Sequence, residues 1–559
     1  MQRRHRTPAL ALVLTLSAGS LLPGQQRNRL NGHPVVLDGQ GKLLSWLTPQ
    51  DRAYDHVVKL AWDFIENRVP VESNGLRVYL VHSTFDPSTL QGTDWPHNPA
   101  GLYAMFVDSA LAYYAYSGDK TALDRVREML DYQLAHGTTP STWEWASVPY
   151  ASSEPGATEY FGADDVKYCE KLRPGAGACG RGDGHFAIQP DKAGELGLGY
   201  LKFYELTGDA RYRDAALACA NALALHVRVG DVTHSPWPFR VYAHTNVVRD
   251  EYTADVISSI KLFDELLRLG FGDPAPYHRA RRLAWDWLMK YPLRNNVWSA
   301  YFEDVPSDPN LVNWNQYSAG ETARYLLQHP EIDPEWKAHA QELLTWIEKT
   351  FAVDVPASSQ YRLVQQEPIQ HGQQWGANAI SEQTVEDMDK MGSHTSRYAS
   401  VCALFYEKTG DEGFKEKAFR AFNWASYMAH EDGLITEAMA EDEFWFSDGY
   451  ADYIRHFLAG MGSVPEWSPP AESHLLRSSS VVVKVIYATR DVSYTTYDGD
   501  ATEVLRLGFQ PQRVMANGTP LRARTDLDEP GWMFDAGTGV LRVRHAKARD
   551  INISEKSSG

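Results

Sequence analysis

Six short stretches of this 559-residue sequence gather the side chains that acid-base chemistry needs. They are GTDWPHNPAG with Asp94, Trp95 and His97; RGDGHFAIQPDKAGE with Asp183, His185, Gln189, Asp191 and Glu195; and HTNVVRDEYTAD with His244, Asn246, Arg249, Glu251 and Asp255. The others are NWNQYSAGE with Asn313, Trp314, Asn315 and Glu321; MGSHTSRY with His394, Arg397 and Tyr398; and WFSDGYADY with Trp445, Asp448 and Tyr450. Two chemistries are open to such a set. A pair of carboxyl groups cleaves an acetal when one donates a proton to the leaving oxygen and the other serves as base or nucleophile. The pool for that pair is Asp183, Asp191, Glu251, Glu321, Glu382 and Asp448. Asp183 and Glu251 are favoured because each follows an aromatic-rich segment and has His or Arg beside it in sequence. The second chemistry removes a proton alpha to a carboxylate that a cation has neutralised, with His394, Arg397, Tyr398, His185 and His244 as its residues. His394 and Arg397 are three apart on one helix and so face one cavity.

The elements that must position these groups are helices in pairs. YSGDKTALDRV (116–126), LTGDARYRDAA (206–216) and KTGDEGFKEKA (408–418) share one pattern: an apolar helix, Ser/Thr-Gly-Asp, then a second helix. Glycine suits the left-handed residue that ends the first helix, and aspartate caps the start of the next. LGFGDPAPYHRARRLA and HPEIDPEWKAHAQELL are weaker versions of the same turn. The pattern predicts twelve helices, near 52–67, 99–116, 120–135, 190–206, 210–227, 251–269, 276–290, 317–328, 334–351, 394–408, 412–429 and 449–461, making six pairs. The first helix of each tight pair, such as KAGELGLGYLKFYEL, is apolar or small nearly all round and reads as inner; its partner carries a charged face and reads as outer. Beyond the Pro/Ser-rich SVPEWSPPAESH the pattern changes to short alternating runs, with Asn517-Gly518 as a hairpin turn.

Six such hairpins and a β appendage resemble the six-hairpin glycosidase superfamily, which includes glycoside hydrolases and related polysaccharide lyases. The resemblance implies a mainly α chain: an (α/α)6 toroid of six helical hairpins with a small C-terminal antiparallel β domain. It divides the sequence into a signal peptide (1–25), the toroid (26–462), a linker (463–475) and a β-sandwich-like domain (476–559). It also places the site at the end of the ring where the inner helices begin, which is where all six stretches fall. Asp and Asn are preferred at helix starts for local reasons. His and Trp have no such role, so their recurrence at one end marks a functional face. Three long segments enlarge that end: 138–187, 228–248 and 353–392. Aromatic faces beside carboxylates and amides suit sugar rings, and the binding set is Trp95, His97, Trp143, Tyr160, His244, Asn315, Trp375, Trp445 and Tyr450. The expected function is a glycoside hydrolase acting on a poly- or oligosaccharide. The alternatives are a uronate-directed lyase or epimerase, and a non-catalytic glycan-binding protein.

Bulk properties agree with a folded enzyme. The chain is 43% hydrophobic and 12% aromatic, with 17 Trp and 29 Tyr, and carries a net charge of -18. That field repels nucleic acid and anionic membrane. No P-loop, Gly-x-Ser-x-Gly elbow, His-Glu-x-x-His or dinucleotide fingerprint is present, so no cofactor and no metal is expected. The start, MQRRHRTPALALVLTLSAGSLLPG, sets arginines before an apolar run too short for a membrane span, as a secretory signal does. A secreted or periplasmic location follows, in which Cys169 and Cys179 are candidates for a disulfide, while Cys219 and Cys402 sit in apolar helical runs as core residues.

Overall fold

The computed structural model describes residues 29–164, 182–299, 314–352, 375–382, 392–436 and 445–555. The signal segment, the Cys169 and Cys179 loop and Asn313 lie outside the described residues. Among those described are twelve helices of eleven residues or more. The first six are α1 (Ala53–Asp63), α2 (Pro99–Ser117), α3 (Thr121–His136), α4 (Pro190–Thr207), α5 (Ala210–His226) and α6 (Ile257–Leu269). The second six are α7 (Pro274–Lys290), α8 (Gln316–Gln328), α9 (Trp336–Phe351), α10 (Gly392–Thr409), α11 (Glu412–Ser426) and α12 (Ser447–Ser463). The turns are built as their residues dictate. α4 ends on Gly208, whose φ of +71° is left-handed, and the Asp209 side chain then accepts the backbone N–H of Arg211 to start α5.

Helices α2, α4, α6, α8, α10 and α12 pack side by side, and α12 closes on α2. They form the inner ring of an (α/α)6 toroid. α3, α5, α7, α9 and α11 lie outside their partners, and the sixth pair joins α1 to α12 across the length of the sequence. Burial follows this division: α4 is buried on nearly every side, whereas α7 buries Tyr277, Ala280, Ala284, Trp287 and Leu288 along one stripe. The glycines of α4 serve close approach. A Cβ on Gly194 would meet Ser259 of α6 at 2.2 Å, whereas one on Gly199 would meet Val107 at an ordinary 3.5 Å.

Short strands dress the end where the inner helices start. β1 (Thr84–Phe85) will pair with a strand just ahead of α12, while β2 (Ala187–Ile188), β3 (Arg240–Tyr242) and β4 (Val247–Asp250) make a three-stranded antiparallel sheet. β5 (Trp445–Phe446) is the partner of β1. The pairing of β4 with β3 corrects one expectation. The helix expected from 251 begins at Ile257, because the chain up to Asp250 is held in the sheet.

The C-terminal region is a sandwich of β6 (His474–Ser478), β7 (Val482–Ala488), β8 (Asp491–Thr496), β9 (Ala501–Arg506), β10 (Arg513–Ala516), β11 (Thr519–Pro520), β12 (Gly531–Asp535), β13 (Val540–His545) and β14 (Asp550–Ser554). Its sheets run β6-β9-β13-β12 and β7-β8-β14-β10-β11. Asn517 and Gly518, at φ +46° and +76°, turn β10 into β11. The sandwich core takes in Tyr114 and Ala115 from the last turns of α2. Arg268, at the end of α6, reaches Asp498 at 2.6 Å, so the sandwich sits at the end of the ring opposite the site. No helix among the described residues is long and apolar enough to cross a membrane.

The two glycines of α4 give a paired outcome. Gly194→Ala lowers the thermal midpoint, at a cost of about 1–3 kcal/mol from overpacking against α6. Gly199→Ala, with room for its methyl, is neutral or stabilises by up to about 1 kcal/mol. Thermal melts of the two variants check the order.

Candidate active site

The first two turns of α4 carry Asp191, Lys192 and Glu195, and helical spacing puts Asp191 and Glu195 on one face. Lys192 Nζ donates to Glu195 Oε2 at 3.0 Å. The hydroxyl of Tyr317, in the first turn of α8, donates to Glu195 Oε1 at 2.7 Å. Asp255, just ahead of α6, completes the group. It is 1% exposed, and among the described residues neither of its carboxyl oxygens has a hydrogen-bond partner. Asp191 accepts the backbone N–H of Lys192 on one oxygen at 2.8 Å and leaves the other unpartnered.

Burial without a partner fixes the charge states. Removal from water pushes the Asp255 carboxyl up from 3.8 to about 7, and the negative charge of Glu195 adds to the rise. Burial drives Asp191 well above the usual carboxylate range as well; Lys192 opposes the rise, and Asp255 reinforces it. Burial also disfavours the Lys192 ammonium, but Glu195, Asp191 and Asp255 outweigh it and keep the lysine charged. The mouth of the ring thus sets protonated carboxyl groups beside a carboxylate that two donors hold.

Tyr317 links this group to a second. Its ring lies 4.2 Å from the guanidinium carbon of Arg397 on α10. Arg397 Nη2 donates to Asp452 of α12, and Nη1 donates to His394 Nδ1 at 2.9 Å. A guanidinium only donates, so Nδ1 is the acceptor and the ring proton belongs on Nε2, which lies 3.3 Å from Glu382 Oε1. The Gln316 side chain also meets His394 Nδ1. Five residues further along their helices, about 7.5 Å deeper than the helix starts, Glu321 and Asp452 form an ionised floor. Burial works to raise both, but Arg324 and Lys261 hold Glu321, and Arg397 and Arg455 hold Asp452, well below the usual range. Lys261 and Arg324 sit 3.1 and 3.0 Å from Glu321.

The structure does not bring Asp183 and Glu251 together. Asp183 is fully buried, and its Oδ1 accepts Arg240 Nε and Gln189 Nε2, each at 2.7 Å. Arg240 Nη1 reaches Asp250 at 3.0 Å, so Asp183 ties the β2-β3-β4 sheet to the start of α4. Glu251 is one-third exposed and pairs with Arg228, with His234 at 3.9 Å. The two carboxylates share no partner. His185 is exposed beside Asp164 at 3.3 Å and Glu154 at 3.9 Å; the ligand atoms of these three lie within 4.8 Å of one another. A second such group, Asp55, Glu472 and His474, already surrounds Lys59, 2.9 Å from Asp55 and 3.3 Å from Glu472.

Several of the expected binding residues are packing groups. His97 is buried, and burial together with His82 lowers its imidazole from 6.5 to about 3, so it stays neutral. Tyr160 shares a hydrogen bond with Tyr103 at 2.9 Å. Tyr450 accepts the N–H of Ile435 at 2.6 Å and stacks on Phe64. Trp95 is buried, Asn315 caps α8 by accepting the N–H of Ser318, and Trp375 packs partly buried against the core. The Trp445 backbone pairs with Phe85. Trp143 and His244 do meet, ring to ring, at 5.4 Å. Sequence reasoning gathered Glu195 and Asp255 with the other groups at the inner-helix starts but left both out of the carboxylate pool, and it did not single out Tyr317. The i, i+4 spacing of Asp191 and Glu195 was the available signal, whereas nothing local marks Asp255 as lacking partners.

No protein-family model matches this sequence, and no curated protein does. Solved structures match in shape. A sugar epimerase from a ruminal bacterium aligns with a TM-score of 0.50 at 9% identity, covering 73% of this chain and 99% of that one. A cellobiose 2-epimerase from Spirochaeta thermophila DSM 6192 gives 0.48 at 10% identity over 74% and 97% of the chains. A family 76 glycoside hydrolase from a bovine Bacteroides thetaiotaomicron strain gives 0.47 at 13% over 76% and 80%. The likeness is one of fold, the six-hairpin toroid.

Asp255 makes stability depend on pH with a definite sign. Its folded value of about 7 lies above 3.8, so between those two values the native protein holds a proton that the unfolded chain releases. Stability therefore falls as pH rises from about 4 to 7 and is level above, by roughly 4 kcal/mol at most for a displacement of that size. Asp255→Asn removes the penalty. The variant melts at a higher temperature than the parent at pH 8 and at nearly the same temperature at pH 4, as calorimetry at the two pH values will report.

Proposed function

We propose that this protein is an exported carbohydrate-active enzyme, a glycoside hydrolase in which Asp255 is the acid and Glu195 the partner carboxylate. The observation that carries the reading is the Asp255 carboxyl, buried at the mouth of the ring with both oxygens unpartnered and a proton held up to about pH 7. Such a group is suited to protonate a glycosidic oxygen as its bond breaks. Glu195 faces it with a lysine and a tyrosine donating to its two oxygens, which keeps the carboxylate oriented for a water molecule or for the anomeric carbon. The toroid fold is compatible with this chemistry but does not select it. Export rests on the arginines and apolar run of the first residues.

Elimination or epimerisation at a uronate is the second reading, and the contact of His394 with Glu382 favours it. Arg397 weighs against it. The guanidinium that would neutralise a uronate is already bonded to Asp452 and His394, and His394 Nδ1, the lone pair a base would use, accepts from Arg397.

Asp255→Asn and Glu195→Gln each lower kcat/KM at least about a hundredfold, while Glu251→Gln stays within a few-fold of the parent. A polysaccharide panel read for both reducing ends and ultraviolet-absorbing unsaturated uronide decides the class. New reducing ends without unsaturation support hydrolysis and unsaturation overturns it; full activity of Asp255→Asn overturns the role given to that residue.

A further inference from the structure

Phe161 and Phe186 are 46% and 44% exposed, the two aromatic residues among the large hydrophobic side chains left exposed by the described residues. They lie together, with ring centroids 6.4 Å apart. Trp143 stands edge-on to Phe186 at 5.7 Å, and His244 lies 6.2 Å from Phe186. Four rings, three from the segment 138–187 and one from 228–248, therefore make one surface patch, and exposed apolar patches on a folded protein mark places of contact.

The patch is held in shape. The Phe186 N–H donates to the Phe161 carbonyl at 2.7 Å, and the Ala243 N–H donates to the Phe186 carbonyl at 2.8 Å. Phe186 has a φ of +64°. Left-handed backbone is rare for a bulky aromatic residue and persists where the surroundings impose it, as at binding sites. The same segment runs on into the start of α4, which carries part of the candidate active site. Phe186 precedes Asp191 by five residues, and a chain spans at most about 3.6 Å per residue, so their backbones lie within roughly 18 Å of each other.

We infer that Phe161, Phe186, Trp143 and His244 form a distal subsite that stacks a ring of a neutral oligosaccharide whose scissile bond lies at Asp255; the inference rests on the hydrolase reading above. Sugar rings present C–H faces to aromatic rings and hydroxyls to flanking polar groups. The flanking groups here are the carboxylates of Asp164 and Glu154 around His185, whose ring is 6.4 Å from that of Phe186. Carboxylates accept from hydroxyls and repel uronates, and with Arg249, which donates to the Gly182 carbonyl at 3.0 Å, the flank is of mixed sign, which suits a neutral ligand.

The test compares the parent, Phe186→Ala, Phe161→Ala and Phe186→Trp on a disaccharide and on a hexasaccharide of the sugar that the parent hydrolyses. Each alanine variant lowers kcat/KM for the hexasaccharide roughly tenfold, mainly through KM, leaves the disaccharide unchanged, and Phe186→Trp restores the loss. A binding arm titrates Asp255→Asn, with and without Phe186→Ala, with neutral cello-, manno-, xylo- and malto-hexaose and with hexagalacturonate, following tryptophan fluorescence. At least one neutral hexasaccharide binds and is weakened by Phe186→Ala, while hexagalacturonate does not bind. Equal losses on short and long substrates, no loss on either, binding of hexagalacturonate, or no binding by any neutral hexasaccharide overturns the subsite. If Asp255→Asn retains hydrolysis, the assignment of Asp255 as the acid fails, and the binding arm still decides the subsite.

Discussion

Six inner helices closed into a ring bury, among the described residues, a set of charges that must cancel. Asp452 lies between Arg397 and Arg455, Glu321 between Lys261 and Arg324, and Glu195 takes Lys192. Two of these pairs cross between helices, Arg397 of α10 to Asp452 of α12 and Lys261 of α6 to Glu321 of α8, so neutralising the charges also registers those helices against each other. An unpaired charge there would be severely penalised by desolvation. The exception proves instructive: Asp255 and Asp191 lack a full set of partners, and burial keeps their protons on. The same constraint that makes the ring rigid leaves an acid at its mouth.

Tyr317 is the joint between the two halves of the site. Its hydroxyl is spent on Glu195 and its ring supports Arg397. The acid group on one side and the Arg397, His394 and Glu382 group on the other are therefore held in a single geometry. The β2-β3-β4 sheet does the same work outside the ring. Asp183, Gln189, Arg240 and Asp250 lock the sheet to the start of α4, so the segment bearing Phe186 and the turn bearing Asp191 move as one piece.

The scaffold was legible in the sequence because its signals are local. Glycine and aspartate at the Thr-Gly-Asp turns, the apolar character of α4 and α10, and Asn517-Gly518 each act within a few residues of where they stand. The charge state of a carboxyl group is not local. Asp183 and Glu251 look alike in sequence, each near an arginine or histidine, but Arg240 is 57 residues from Asp183 and encloses it. Asp255 matters for the partners it does not have, and only the folded ring reveals that. The helix expected from 251 starts at Ile257 for a related reason: strand pairing across the β3-β4 turn claims the residues before it.

The pairing of α1 with α12 ties segments nearly four hundred residues apart in sequence. Tyr114 and Ala115 of α2 are covered by strands that begin beyond residue 474. Helix α1 and the last turns of α2 thus wait for chain that a ribosome makes much later. Closure of the ring is a late and long-range event, and until then the early helices keep apolar surface open.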